Sequence, residues 1–139
     1  MFGVADRREH YSEREAAYAV VLDADRRVAV VRGQRGLFLP GGGVEAGESP
    51  EEALLRDSLE ECGRPLEIIR AIGRAIQYCH GESGPFRAHH RFFEARFQGP
   101  VPQPDEYPLS WVHIDEASLW FRYESHVWAV RTVLAESGP

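Results

Sequence analysis

The hydrophobic and polar positions of this chain follow two patterns, one typical of strands and one typical of helices. Dense apolar runs at residues 16–22 and within 27–32 stand on either side of a polar stretch. Such runs predict two buried strands that form a hairpin around a polar turn. A short strand is expected at residues 37–39, and it leads directly into three consecutive glycines at 41–43.

A helix is predicted to begin at Ser49. Ser49 is a favourable N-cap, Pro50 suits the first helical position, and Glu52 stands where a capping box places its returning carboxylate. At the other end, Gly63 is suited to a C-cap and Pro65 prevents continuation. We therefore expect a single helix between Ser49 and Gly63.

This predicted helix has an apolar face and a charged face. At about 100° per residue, the packing face holds Leu55, Ser58, Leu59 and Cys62, and the opposite face holds Arg56, Asp57, Glu60 and Glu61. A charged face opposite an apolar one is also what an ordinary surface helix shows. The pattern alone therefore leaves a purely structural interpretation open.

The rest of the chain reads as strands followed by a final helix. The pattern predicts a strand pair at residues 66–78, a loop at 79–88, a strand at 89–97, an irregular proline-rich connection at 99–108, a strand at 109–114 and an amphipathic helix at 123–136. The three tryptophans of the last third, Trp111, Trp120 and Trp128, are expected in the core. This order predicts an α/β fold with a mixed sheet between helices.

Composition limits the function classes that need to be considered. The 139 residues, 43% of them hydrophobic, predict one domain spanning 1–139. A net charge of −6 without any basic run argues against extended nucleic-acid binding. No apolar run is long enough for a membrane span or a secretion signal, so we expect a cytoplasmic protein with no membrane partner. Cys62 and Cys79 are expected as free thiols.

Carboxylates are concentrated on the predicted helix. Asp57 and Glu61 are like charges four residues apart, which costs roughly 0.2–0.5 kcal/mol, and Glu60 adds to the repulsion. Three carboxylates within about one helical turn suit a hard cation such as Mg²⁺, which also keeps waters and binds substrate phosphates. Glu48, just before the N-cap, is a candidate for a fourth ligand.

The segment from Gly42 to Arg64 resembles the Nudix box, G-x5-E-x7-R-E-U-x-E-E-x-G-U, in which U is a bulky aliphatic residue. The positions that match are Gly42, Glu48, Arg56, Glu60, Glu61 and Gly63, and those that depart are Asp57, Ser58 and Arg64. The preceding LPGG is also typical of the family. The resemblance implies a Nudix-like α/β/α sandwich with a mixed β-sheet between helices.

The resemblance also implies an activity, the hydrolysis of a nucleoside diphosphate linked to another moiety at its pyrophosphate bond. Mg²⁺, or Mn²⁺ as an alternative, is the implied cofactor. Glu60 and Glu61 match the family's metal-binding glutamates, and Glu48 matches the first glutamate of the box. Arg56 matches the arginine that holds a neighbouring acid, and Gly42 and Gly43 belong to the loop that shapes the site.

Asp57 stands where the family has a glutamate that binds metal and is sometimes the candidate base. Aspartate is one methylene shorter but still binds Mg²⁺ directly or through water. A displacement of about 1 Å in such a site costs on the order of 10²-fold in rate. We therefore expect Asp57 to lower activity without abolishing it.

Further candidates lie outside the box. Relatives often carry another acid on a loop, and Glu106 is preferred here over Glu82 and Asp105 because a Trp-Val segment follows it. Among the arginines that could contact phosphate we select Arg32, and among the aromatic residues that could stack on a base we select Phe38. Adjacent His89 and His90 point to opposite faces of a strand and cannot serve one site together.

Two functions remain open at this stage. The first is a metal-dependent pyrophosphohydrolase with a small nucleotide as substrate. The second is a Nudix-fold domain that binds or senses a nucleotide with little or no hydrolysis. Homodimers are common in the family, and a homodimer is one arrangement open to this chain.

Overall fold

The computed structural model describes residues 2–3, 5, 10–99 and 107–136. In chain order the elements are β1 (Ser12–Val20), β2 (Val28–Gly33), β3 (Gly36–Phe38), β4 (Gly41–Gly43), α1 (Pro50–Cys62), β5 (Leu66–Gly81), β6 (Gly84–Phe97), β7 (Leu109–Val112), α2 (Ile114–Ala117), a 3₁₀ turn (Ser118–Trp120) and α3 (Glu124–Glu136). No helix in these ranges combines the length and apolar character needed to cross a membrane.

The strands form two sheets, and the larger one is mixed. Its order is β4-β1-β6-β5, with β1 parallel to β6 and every other pair antiparallel. The smaller sheet has the order β3-β2-β7 and is antiparallel throughout. Ala17 and Ala19 of β1 pack with Leu54 of α1, whereas Tyr18 and Val20 pack with α3. The predicted α/β architecture, a mixed sheet between helices, is confirmed.

The predicted hairpin at residues 16–22 and 27–32 is only partly correct. Both strands exist, but β1 and β2 belong to different sheets. Backbone bonds join the two segments at their shared end, where Leu22 bridges Val28 and the Ala29 N–H donates to the Val21 carbonyl over 2.9 Å. The chain between them turns around Asp23. Strand β1 then pairs with β4 and β6, whereas β2 pairs with β3 and β7.

The region 66–97 is one long hairpin, which corrects the predicted strand pair, loop and strand. Strands β5 and β6 pair from Leu66↔Phe97 to Gly81↔Gly84, with register shifts near residues 68–73. Only residues 82 and 83 lie between the two strands. The glycines and the proline that predicted a loop at 79–88 occur at the end of this ladder, where a tight turn needs them.

The caps of α1 are confirmed, but its packing face is rotated from the prediction. Ser49 and Glu52 form the reciprocal capping box, and Gly63 closes the helix at φ 68°. Leu55 is 40% and Leu59 is 53% exposed. The buried positions are Ala53, Leu54, Ser58 and Cys62. The helix therefore turns its polar positions partly toward the sheet.

Several expectations for the rest of the chain can be compared with the structure. The terminal helix is confirmed as α3, and Cys62 and Cys79 are both free and buried. His90 is buried whereas His89 is partly exposed, so the two do point to opposite faces. The prediction of core tryptophans is wrong for Trp120 and Trp128, which are 70% and 37% exposed, whereas Trp111 is partly buried and packs against a core cluster.

Candidate functional site

The glycine segment enters the large sheet as its edge strand, β4. Gly42 lies opposite Ala17, and Gly41 lies opposite Tyr18. A Cβ on Gly41, which has φ 138°, would lie 2.0 Å from the carbonyl oxygen of Ala17. Only glycine permits this backbone approach, so the contact with β1 requires glycine at position 41.

Two further bonds fix the position of this loop. The Ala19 N–H donates to the Pro40 carbonyl over 2.9 Å. The Gly41 N–H donates to Oε1 of Glu61 over 3.0 Å. The loop is thus joined to β1 on one side and to the acidic helix α1 on the other, and Glu61 is a structural partner of the backbone as well as a carboxylate.

Arg56 and Glu48 form the strongest ion pair of the site. Arg56 Nε donates to Glu48 Oε2 over 2.8 Å, and Nη2 donates to Oε1 over 2.9 Å. The Glu45 N–H also donates to Glu48 Oε1 over 3.0 Å. The hydrogen bonds from Arg56 hold the pKa of Glu48 at about 2. Glu48 is therefore engaged with the arginine through both carboxylate oxygens.

Arg56 also connects the glycine loop to the next acid of the helix. Its Nη1 donates to Asp57 Oδ1 over 2.8 Å, and its Nη2 donates to the Gly43 carbonyl over 3.2 Å. Glu60, the expected partner one turn along, lies 4.0 Å from Nη1. The arginine thus orients Glu48 and Asp57 more closely than Glu60.

Asp57 has one carboxylate oxygen without a partner. Its Oδ2 is buried, and no hydrogen-bond donor in the described part of the chain reaches it. Burial raises the pKa of Asp57, although the Arg56 charge opposes that shift. An unpaired buried carboxylate oxygen is costly, so this atom is available for a ligand that carries positive charge.

Glu61 and Glu60 complete the acidic group and differ in environment. Burial raises the pKa of Glu61 to about 7, the Gly41 N–H opposes the shift, and the charges of Asp57 and Glu60 add to it. The Glu60 side chain is 66% exposed. A positive ion beside these carboxylates would relieve both the burial cost and the mutual repulsion.

The donor chemistry fits a divalent cation, although the side chains are not arranged around one. Among the ranges described, no group of three or more His, Cys, Asp or Glu side chains is placed to hold a metal ion. The oxygens of Asp57, Glu60 and Glu61 are the hard ligands that Mg²⁺ prefers, and Asp57 Oδ2 has no other partner. Glu48 is the least available, because Arg56 holds both of its oxygens.

The remaining predicted site residues are distributed over several parts of the fold. Arg32 donates to Ser110 Oγ over 2.7 Å, within the smaller sheet, and no contact joins it to the carboxylates of α1. The Phe38 ring packs edge-on against Tyr123, with centroids 5.7 Å apart. Glu82 is exposed in the β5–β6 turn. Glu106, like Asp105, lies outside the described residues.

One residue near the loop was not predicted from the sequence. His126 of α3 is fully buried, and its Nδ1 accepts the Leu39 N–H over 3.1 Å. In the sequence, His126 is a histidine in the first turn of the predicted terminal helix, next to its apolar positions. Such a residue is ordinarily a core side chain. No sequence motif links His126 to the glycine segment.

Known proteins resemble this chain both in sequence and in structure. A family model described as NUDIX domain matches residues 12–135. The uncharacterized Nudix hydrolase orf19 of Rhodococcus erythropolis is 35% identical over 80 residues, which cover 52% of this chain and 43% of that protein. The match therefore spans less than half the length of that relative.

Two solved structures illustrate the similarity of fold. A NUDIX hydrolase from Nitrosomonas europaea superposes with a TM-score of 0.73 at 22% identity, covering 90% of each chain. An ADP-ribose pyrophosphatase from Streptococcus suis superposes with a TM-score of 0.65 at 18% identity, covering 91% of this chain and 92% of that chain. At these identities the likeness concerns the fold.

Proposed function

Because this chain belongs to the NUDIX domain family, we propose that it catalyses the divalent-metal-dependent hydrolysis of the pyrophosphate bond of a small nucleotide. The observation that carries the proposal is the arrangement of the glycine loop around the acidic helix. Arg56 joins Glu48, Asp57 and the Gly43 carbonyl, and Asp57 keeps a buried oxygen free of hydrogen bonds from the described residues. A structural helix face would not require that unpaired carboxylate.

The proposed ligands of the cation are Asp57, Glu60 and Glu61. Glu48 is proposed as a fourth ligand, although Arg56 binds both of its oxygens. A bound Mg²⁺ or Mn²⁺ would supply positive charge for the phosphate oxygens and polarise a water. Arg56 orients Asp57 through the 2.8 Å bond to Oδ1 and leaves the other oxygen available. Glu61 fixes the Gly41 N–H and thereby the shape of the loop.

For proton removal from the attacking water we propose Asp57, Glu60 or Glu106, the acids selected from the sequence. The pKa of Asp57 is raised by burial, and a carboxylate with a raised pKa is a better base. Glu106 lies outside the described residues, and its role is proposed from the sequence alone. Substitution of each acid by its amide, followed by the pH profile of kcat, distinguishes among the three.

We propose a nucleoside diphosphate linked to a second group as substrate. The superposing Streptococcus suis protein is named an ADP-ribose pyrophosphatase, and ADP-ribose is accordingly the first compound to test. Gly42 and Gly43, which carry no side chain to obstruct a phosphate, are the proposed contacts of the pyrophosphate. Arg32 and Phe38 remain proposed contacts for phosphate and base, respectively, with Phe38 partly buried against Tyr123.

The experiment that tests this proposal measures product release from a panel of nucleotides. The panel contains ADP-ribose, nucleoside diphosphate sugars, dinucleoside polyphosphates and nucleoside triphosphates, each with Mg²⁺, Mn²⁺ or excess chelator. We expect hydrolysis of at least one compound that requires the metal and is reduced at least 100-fold by Glu61→Gln. Glu51→Gln, an exposed carboxylate change on the same helix, is the matched control.

The alternative is a nucleotide-binding domain with little hydrolysis, and Asp57 is the observation that favours it. The side chain of Asp57 is shorter than the glutamate of the family motif. Its Oδ1 accepts a hydrogen bond from Arg56, and its Oδ2 is buried. Binding of a nucleotide from the panel without metal-dependent turnover, in both the wild type and Asp57→Glu, would support this alternative. Turnover by the wild type would exclude it.

A further inference from the structure

His126 of the last helix is hydrogen-bonded to the segment that leads into the glycine loop. The Leu39 N–H, immediately before the loop, donates to His126 Nδ1 over 3.1 Å, and both residues are completely buried. Leu39 and Gly41 are thus held by side chains from two different helices, His126 of α3 and Glu61 of α1. The intervening Pro40 is held through its carbonyl by β1.

The hydrogen bond defines the state of the imidazole ring. An N–H donor requires an acceptor, so Nδ1 carries no proton and the neutral ring carries its proton on Nε2. Burial holds the pKa of His126 well below its ordinary value, which favours the same neutral form. Nε2 is buried and has no hydrogen-bond partner among the described residues. Within the described residues, the hydrogen bond that the ring makes is therefore the one with the Leu39 N–H.

Aromatic side chains enclose this ring and fix its orientation. The Tyr18 centroid lies 4.2 Å from that of His126, His90 lies at 5.2 Å, and Tyr123 lies at 5.3 Å. Close packing of this kind leaves few alternative rotamers. The Nδ1 atom is consequently a fixed acceptor rather than a mobile one.

The residue before His126 attaches the same helical turn to the large sheet. Ser125 Oγ lies 2.9 Å from His90 Nδ1 on β6, and the Ser125 N–H donates to Gln77 Oε1 on β5 over 3.3 Å. All three residues are buried. The first turn of α3 is therefore anchored on the β5–β6 hairpin, and His126 extends from that anchored turn to the loop.

We propose that His126 is a positioning residue for the active site, which acts by holding the Leu39 N–H and, through residues 39–41, the Gly41 contact with Glu61. This inference rests on the proposed function for its catalytic consequence. His126 itself touches none of the carboxylates in the ion-pair cluster around Arg56. Its effect is transmitted through three residues of backbone, and small displacements in such sites are costly to rate.

The test first removes the acceptor while keeping an aromatic ring at this position, and then restores an acceptor in a smaller side chain. In His126→Phe the ring is retained but the acceptor is lost, whereas in His126→Asn the amide oxygen stands close to the position of Nδ1. Ser125→Ala is the matched control, because it removes the side-chain contact with His90 but keeps the Ser125 backbone N–H bond to Gln77, which still anchors the turn, and it leaves the Leu39 acceptor intact. Each variant is studied at a temperature where its circular dichroism shows the folded state.

The first measurement is amide hydrogen exchange, which needs no substrate. We expect exchange at both Leu39 and Gly41 to accelerate at least tenfold in His126→Phe, to return toward the wild-type rate in His126→Asn, and to stay unchanged relative to core amides in Ser125→Ala. Acceleration at Leu39 alone would overturn the inference, because the effect would then not reach the Glu61 contact. Unchanged rates at both amides would overturn it as well.

The second measurement is turnover of the best nucleotide in the panel. We expect kcat to fall about tenfold to 100-fold in His126→Phe, with recovery in His126→Asn and little change in Ser125→Ala. Full activity in a folded His126→Phe protein overturns the catalytic consequence. If the wild type hydrolyses no compound, the proposed function fails, and the exchange at Gly41 still decides the positioning role.

Discussion

A Cβ atom on Gly42 would lie 2.7 Å from Oδ2 of Asp57. The loop and the acidic helix α1 approach each other closely at this point. Asp57 can occupy its position only because Gly42 has no side chain. Arg56 fixes Asp57 through the opposite oxygen. The Asp57 carboxylate therefore cannot move away freely. Because the φ of Gly42 is not positive, its backbone conformation does not require glycine. Glycine is required at this position by the contact with Asp57.

Gly42→Ala is expected to destabilise the protein by roughly 1–3 kcal/mol, the usual cost of overpacking, because the new methyl group displaces Asp57. Gly43→Ala is the control, since its Cβ would meet only the Glu15 carbonyl at 4.0 Å and should change stability by less than about 0.5 kcal/mol. Urea unfolding of the three proteins measures the difference. Equal stabilities for the two alanine variants would contradict the proposed contact.

Asp57→Glu is expected to raise kcat about tenfold, because the additional methylene carries the carboxylate toward the position that the family's glutamate occupies. Asp57→Asn, which keeps the size and removes the charge, should lower kcat below the wild-type value. Steady-state kinetics with saturating Mg²⁺ provide the measurement. A folded Asp57→Glu variant with unchanged or lower kcat would show that the shorter aspartate side chain does not limit kcat.

Buried His90 predicts a dependence of stability on pH. Burial lowers the pKa of His90 to about 4 from an ordinary 6.5, so the unfolded chain binds more protons between these values. Stability should therefore fall as pH decreases from 6.5 toward 4, by up to about 1.4 kcal/mol per pH unit for one proton. Urea unfolding at several pH values is the measurement.

The His90 effect is isolated by comparison with His90→Gln, whose slope in that pH window should be shallower. The comparison is needed because Glu61, with its pKa raised to about 7, acts in the opposite direction: the folded state binds its proton more readily, which favours folding as the pH falls. Parallel pH curves for the wild type and His90→Gln would contradict a neutral buried His90.

Mg²⁺ is expected to stabilise the folded protein through Asp57, Glu60 and Glu61. At a free concentration 100 times the dissociation constant, the stabilisation is about 2.7 kcal/mol, visible as a rise in Tm. Glu61→Gln should lose most of that rise, and Glu51→Gln should retain it. A Tm that responds to Mg²⁺ equally in all three proteins would place the cation elsewhere.

The parts of the fold that could be predicted are those governed by neighbours in sequence. Ser49, Glu52 and Gly63 cap α1 as expected because capping is decided within a few residues. The family resemblance likewise depends on fixed spacing along one segment. The sequence alone therefore indicates the acids and the arginine of the candidate site.

The parts that could not be predicted depend on contacts distant along the chain. Ser58 and Cys62 are buried as expected, but Leu55 and Leu59, predicted on the same face, are exposed, and Ala53 and Leu54 are buried instead. Gly81 and Gly84 indicated a loop, but the register between β5 and β6 places them at the end of a ladder. His126 and Leu39 are 87 positions apart, and nothing local to either residue indicates the other.

That separation has a consequence for the order in which the site is made. A ribosome delivers the glycine loop and α1 before it delivers β6, the parallel partner of β1, and His126. Domains complete their folding as the required chain becomes available. A nascent chain released before α3 would thus contain the acids at Glu48, Asp57, Glu60 and Glu61, while the acceptor for the Leu39 amide would never have been translated.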